Sequence, residues 1–404
     1  MGAVDALLWA ALAGPVWAVV GAALLPHVYR SRAADSALAR RSGGSIGASL
    51  GIVGLAWMAV RRPALRQREY VGIPIVILLV ELVFLFAQLD PTNPCVYDGA
   101  YVANQLQNGL TVGLLYATMA VGLTLIYSVQ RIISFTHGQF VMFGGVTAYL
   151  LLQATNLNPL AALPIVGIVI FLVGFAVATV LLRPIAKATV ERPDEYAILM
   201  TFGIGIFLTY ALVGVLGVPI GIKAPGYTQR PLFGIAQAVF EVGPLRLRTD
   251  LLVAGAVGLV LFAALGWLLY RTWLGRSFRA VAMDRQAATV VGIDAGRVFV
   301  LAFAIGTMLA GLAGAALVPA FNFVVPDMAA STGIACYVIV VLGGLGSVPG
   351  ALLGGLGLGL AQAAVAGCYP DPSKGATYQE AAGIVMFLLV LLFRPQGLFG
   401  RAEQ

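Results

Sequence analysis

The sequence predicts an all-α, polytopic transmembrane helix bundle of about eleven membrane segments, some of them broken by Gly or Pro. Three observations carry that prediction. Sixty per cent of the 404 residues are hydrophobic and only 10% are charged, against roughly 25% charged in a soluble domain. The apolar residues fall in blocks of about 20, the length that crosses a hydrocarbon core as a helix. The chain also holds 49 glycines and 20 prolines, which membrane bundles accept because neighbouring helices re-satisfy the backbone.

Taken in order, the first block runs from Leu7 to Val28 and is followed by Arg30, Arg32, Arg40 and Arg41. Asp5 precedes it and no basic segment does, so it reads as a retained span and not a cleaved signal peptide. The stretch Ile46 to Val60 has basic residues on both sides and is short for a span, which fits an interfacial or re-entrant segment. Val71 to Leu89 crosses outward, Leu106 to Val129 returns to Arg131, Phe135 to Ala154 goes out, and Leu160 to Leu182 returns to Arg183, Lys187 and Arg192. Tyr196 to Val218 leads to a long loop, Pro219 to Thr249, and Leu251 to Tyr270 comes back to the basic stretch Arg271 to Arg297. Val298 to Val318 goes out, Thr332 to Leu345 and Ala351 to Ala366 are Gly-broken, and Tyr378 to Phe393 ends at Arg394 and Arg401. Counting basic residues between blocks puts the N-terminus outside and the C-terminus in the cytoplasm.

The net charge of +7 is confined to short connections between apolar blocks. It is therefore a topology signal, and no basic folded domain exists to bind nucleic acid. Catalytic constellations are absent: the sequence has two histidines, no H-E-x-x-H, no clustered Cys/His ligands and no G-x-S-x-G. Nothing calls for a catalytic residue, a metal or a cofactor. A phosphate-cradling G-x-x-x-x-G-K-[ST] loop is also missing, so any ATP that drives the protein binds elsewhere. Cys336 lies inside an apolar block as a packing residue. Cys95 and Cys368 fall in connections placed outside the membrane, where a disulfide can persist, but sequence does not report their proximity.

Four features carry chemistry. Glu81, central in its block, and Glu380, near a span end, are a thin set for ion coupling. The stretch RTWLGRSFRAVAMDRQAATVVGID, 271–294, reads as a short basic helix capped by Ser277, ended by Gly292 in a left-handed turn, with Asp294 capping the next span. Ala287 and Ala288 allow close approach to a partner's groove, although an ordinary solvated loop fits as well. In GGLGSVPG, Gly343, Gly344, Gly346 and Pro349 oppose a continuous helix. RIISFTHGQF places His137 and Gly138 at a comparable break. Interrupted segments in the two halves of a bundle point to a solute path, while close packing of small faces accounts for Gly355 to Gly359.

These motifs together resemble the permease subunits of ATP-binding-cassette importers of the branched-chain amino acid type. NGLTVGLLYATMAVGLTLIYSVQRIISFTHGQF looks like the family's opening span followed by its Asn-Phe-Ala-His-Gly segment, with Ser134 and Thr136 replacing Asn and Ala. The 271–294 stretch is similar to the family's cytoplasmic loop, VLGGLGSVPGALLGGLGLGL to its Gly-rich stretch, and FRPQGLFG to its ending. The resemblance spans about Asn104 to Gly400. It implies that 271–297 is the coupling loop, with Gln286, Ala287, Ala288 and Gly292 on the Glu-Ala-Ala-x-x-x-Gly pattern, Gln standing for Glu, and with Arg279 and Asp284 beside them. It implies two ATPase subunits, a second related permease and an external solute-binding protein, in a bacterial cytoplasmic membrane. Substrates of the family include Leu, Ile and Val, and in relatives urea and short amides. Residues 1–98 fall outside the resemblance and read as an added membrane module ahead of the 99–404 core. An ion-coupled secondary transporter or a gated channel for small neutral solutes are the other readings the composition permits.

Overall fold

The computed structural model describes Cys95 and residues 98–399, apart from short connections at 187–189, 217–221, 224–225, 228, 230–238, 243–244, 322, 325–327, 370–371, 394–395 and 398. The expected N-terminal spans and Glu81 lie outside the described residues. The described core is all-α, as its composition requires.

Helix α1 (Gly99–Gln130) is 32 residues long, about 48 Å at 1.5 Å per residue. It starts ahead of its apolar block because the Asp98 carboxylate accepts from the N–H groups of Ala100 (2.9 Å) and Tyr101 (3.2 Å), a good N-cap. It stops at Arg131, whose φ of 59° is left-handed. Then follow α2 (His137–Thr155), α3 (Pro159–Val180), a single turn α4 (Arg183–Ala186) and α5 (Pro193–Leu216). After the second long connection come α6 (Thr249–Arg271), α7 (Trp273–Met283), α8 (Arg285–Val290) and α9 (Ala295–Phe321). The series closes with α10 (Met328–Gly343), α11 (Val348–Cys368) and α12 (Pro372–Phe393). Among the described residues, α1, α3, α5, α6, α9 and α11 are long and apolar enough to cross a membrane.

The connection read as a plain loop, 219–249, contains structure. β2 (Val239–Val242) and β3 (Leu245–Arg248) form an antiparallel hairpin, and β1 (Ile222–Lys223) pairs antiparallel with β4 (Phe323–Val324). Gln107 of α1 holds the hairpin's end: its amide donates to Arg248 O at 2.8 Å, and the Arg248 N–H donates to Gln107 Oε1 at 3.1 Å. The Arg248 guanidinium donates to Ala320 O, 3.1 Å away at the end of α9. Tyr227, buried in the same connection, donates its hydroxyl to Ala316 O at 3.2 Å.

Helices α1 and α9 form the centre, and they are packed through glycine. A Cβ on Gly122 would stand 2.5 Å from Gly306 O, and one on Gly355 would stand 2.7 Å from the Ala117 backbone. Gly144 of α2 meets the backbone of Gly311 in the same manner. Small residues at these sites let backbones touch, the usual source of helix affinity in lipid. α11 runs antiparallel to α1 for its whole length. Gly359 faces Gly109 and Gly113, the Tyr101 hydroxyl donates to Gly367 O (3.1 Å), and Gly346 lies beside Ser128 at the other end.

The bundle therefore has two distinct ends. Asp98, Tyr227, the β2–β3 hairpin and the start of α12 lie at one. There Cys95 is disulfide-bonded to Cys368, the last residue of α11. The end of α1, helices α7 and α8, and the α10–α11 turn lie at the other. Cys336 is buried and free.

Candidate functional site

At the second end, α6 turns sharply into α7. The cap of α7 is Thr272, whose hydroxyl accepts from Gly275 N–H at 3.2 Å. The expected cap, Ser277, sits within the helix with its hydroxyl turned back on Trp273 O, 3.2 Å away, a bond open to any mid-helix Ser. The single helix expected here is broken at Asp284, which ends α7 and caps α8 by accepting from the N–H groups of Gln286 (2.8 Å) and Ala287 (3.0 Å). Gly292 ends α8 with φ +87°, where a Cβ would be strained. Asp294 then accepts from Gly296 and Arg297 N–H groups to start α9. The Arg279 guanidinium is tied back to α6, donating to Leu269 O and lying 5.5 Å from the Tyr270 ring. Ala288 is buried, while Gln286 and Ala287 are exposed. Beside them Met283, Val290 and Val291 stand 88%, 86% and 74% exposed. These apolar side chains project from a pair of short helices outside the candidate spans, and an exposed apolar cluster of that kind marks an interaction surface.

A second cluster lies deeper. From Arg131 the chain does not turn into α2 at once; residues 131–136 run back along α1 without helical structure. Tyr337 of α10 holds this segment by donating to Ser134 O (2.7 Å), with its ring 5.5 Å from that of Phe135. Thr201 of α5 accepts from the Phe135 N–H at 3.2 Å. α2 begins only at His137, whose Nε2 lies 2.8 Å from Met119 O. Met119 lies well inside α1, 11 residues or ~17 Å back from its last residue, Gln130. At that depth Gly138 abuts Ala329 and Gly333, so the first turns of α2 and α10 meet. Ser134, Thr136, His137, Thr201 and Thr332 are all buried there. Arg131 links this segment to the first cluster: its guanidinium donates to Ala282 O, next to Met283, at 3.4 Å.

Comparison with known proteins settles the family. The family described as branched-chain amino acid transport system, permease component, matches residues 105–393. The chain belongs to that permease family. It is 31% identical to the high-affinity branched-chain amino acid transport system permease protein BraD of Pseudomonas aeruginosa, over 74% of this chain and 96% of that one. It is 28% identical to LivH of Escherichia coli K12, over 75% and 97% respectively. The ribose import permease RbsC of Escherichia coli K12 is similar at 26%, over 70% and 82%. No solved structure matches the chain.

Within this permease, the residues read from the sequence separate into two places. Asp284, Gln286, Ala287, Ala288 and Gly292 are together in α8 and its flanks, and Arg279 is held against α6. His137 and Gly138 lie partway along α1, beside Met119, whereas Gly343, Gly344, Gly346 and Pro349 form the turn between α10 and α11 at the α7–α8 end. Gly344 (φ +94°) and Gly346 (φ +85°) adopt left-handed conformations there. The Phe399 N–H donates to Gly343 O at 3.1 Å, closing the C-terminal segment onto the turn. Pro349 sits in the first turn of α11, where no N–H is needed. Sequence reasoning missed Met283, Val290 and Val291; large apolar residues flanking the short polar run Asp284–Gln286 were the available signal. The hairpin was also missed, although VFEV and LRLR flank a Gly-Pro pair, which is strand-turn-strand chemistry.

Proposed function

We propose that this permease subunit passes a branched-chain amino acid across a cytoplasmic membrane, powered by separate ATPase subunits that seat on α7–α8. The observation that carries the reading is the exposed Met283, Val290 and Val291 on a pair of short capped helices, in a chain of the branched-chain amino acid permease family. The substrate comes from the printed function of the BraD and LivH relatives. Two ATPase subunits, a second permease and an external solute-binding protein complete the assembly by the same analogy. The path runs past the buried hydroxyls around His137 and Gly138. The 343–349 turn lies at its α7–α8 end, where motion of the docked ATPases reaches it first.

Two observations support placing the α7–α8 end in the cytoplasm, with the C-terminal segment beside it. Arg271, Arg276, Arg285 and Arg297 surround that end, as the positive-inside rule favours. The Cys95–Cys368 disulfide is at the opposite end, and disulfides persist in oxidising compartments. Residues 1–98 are assigned to an added membrane module, in keeping with a family match that begins at 105.

Reconstitution tests the reading. Vesicles holding the permease with its ATPases and binding protein are expected to accumulate leucine only with ATP, and vanadate is expected to stop them. Leucine accumulation driven by an ion gradient without any ATPase would sink it. A membrane-impermeant thiol reagent is expected to label Thr155→Cys, exposed at the end of α2, from outside intact cells; labelling only after lysis would reverse the orientation.

A further inference from the structure

We propose that His137 and the first turn of α2 form a buried site for the zwitterionic head of an α-amino acid, the carboxylate on the helix N-terminus and the ammonium on the imidazole. This rests on the permease reading and adds the chemistry that the path itself selects.

His137 is wholly buried, and its Nε2 lies 2.8 Å from Met119 O. A carbonyl only accepts, so Nε2 carries the hydrogen and the neutral ring presents Nδ1 as a lone-pair acceptor. That Nδ1 is buried and has no partner. It is the ring nitrogen next to Cγ, and His137 is the first residue of α2, so it stands beside that helix's own opening turn.

The turn is also uncapped. Thr136 makes no side-chain cap bond, because its hydroxyl is paired with Ser134 Oγ at 3.0 Å. First-turn N–H groups form the positive end of the helix dipole and hold anions, and Gly138 leaves the backbone bare at that turn. The N-terminus calls for an anion and Nδ1 for a donor, within one short turn. A carboxylate and an ammonium on one carbon supply both. Urea supplies no anion, a simple carboxylate supplies no donor to Nδ1, and an amine leaves the turn empty.

In this structure Gly138 is packed on Ala329 O, and a Cβ there would be 2.7 Å from Gly333 Cα. A solute therefore enters only when the first turns of α2 and α10 part, which makes the site a gate as well.

The test uses the full transporter in vesicles, with the binding protein saturated by each solute in turn. Transport rates are compared for leucine, leucinamide and 4-methylpentanoate, the last two lacking the carboxylate and the ammonium respectively. The wild type is expected to move leucine roughly tenfold or more faster than either. In His137→Phe, with ATPase stimulation by loaded binding protein intact, leucine is expected to fall to the 4-methylpentanoate rate. Equal wild-type rates for leucine and 4-methylpentanoate overturn the site, and so does a preference that survives in His137→Phe. If that variant does not assemble, His137→Gln offers both a donor for Met119 and an acceptor; it is expected to keep the preference, and its loss in an assembled complex overturns the site. No leucine transport by the wild type is a failure of the permease reading instead.

Discussion

Helices α1 and α3 show how differently two spans of one bundle are built. In α1, 78% of the most apolar stretch is buried inside the protein; in α3, the most apolar of the candidate spans, the figure is 28%. The ordering is opposite to that of a soluble protein, where the most apolar helix is the innermost. Lipid accepts apolar side chains as readily as a protein core does, so hydropathy does not decide which helix is inner: α5, the least apolar of the candidate spans, is also the least buried, at 22%. What places a helix at the centre is smallness. α1 and α9 meet through Gly122 and Gly306, while α3 and α5 present Ile168, Leu172, Phe202 and Phe207 outward.

Glycine substitutions break this comparison most directly. Gly144→Leu puts four carbons where the Gly311 backbone already lies, and no monodisperse protein is expected on size exclusion. Gly144→Ala is expected to lower the thermal midpoint in detergent, at a cost of about 1–3 kcal/mol from overpacking. On α5, a Cβ on Gly203 meets nothing within 4 Å, so Gly203→Ala is expected to be neutral or to gain up to ~1 kcal/mol in helix propensity. Equal losses at the two positions would erase the distinction between centre and rim.

The α7–α8 surface sharpens the comparison from a different direction, since its exposed apolar residues lie on short helices outside the candidate spans. Met283→Asp with Val290→Asp is expected to cut ATP-driven uptake by about tenfold or more, as loss of apolar anchors does at interfaces, with an unchanged thermal midpoint. Normal uptake would assign the face to solvent. Ala288 behaves as a packing residue by its burial, so Ala288→Trp is expected to reduce uptake and stability together. A modest loss is expected at Tyr337→Phe, which removes one hydrogen bond to Ser134 O; thermal unfolding is expected to show about 1 kcal/mol.

Local features of the site were legible in the sequence. Gly292 and Asp294 do end α8 and start α9, because a left-handed turn and an Asp cap are decided within a few residues. The break before His137 and the reversal after Gly343 were legible for the same reason. Ser277 was misread because a hydroxyl that can cap can equally bond back to its own helix, and Thr272 is the better-placed cap. The relation between the breaks was not legible. That residues 131–136 fold back to set Gly138 against Gly333, nearly two hundred residues away, is fixed by backbone contact between α2 and α10, and no periodicity encodes it.

The disulfide has a consequence in time. Cys95 and Cys368 are separated by 273 residues, and nearly every span of the core is encoded between them. At synthesis rates of ~5–20 residues per second, the first thiol waits on the order of 14–55 s for its partner. During that interval Cys95 is exposed to every other thiol and oxidant on its side of the membrane. The bond forms correctly only after α11 has been inserted alongside α1, so its oxidation state in newly made protein is a clock for completion of the bundle.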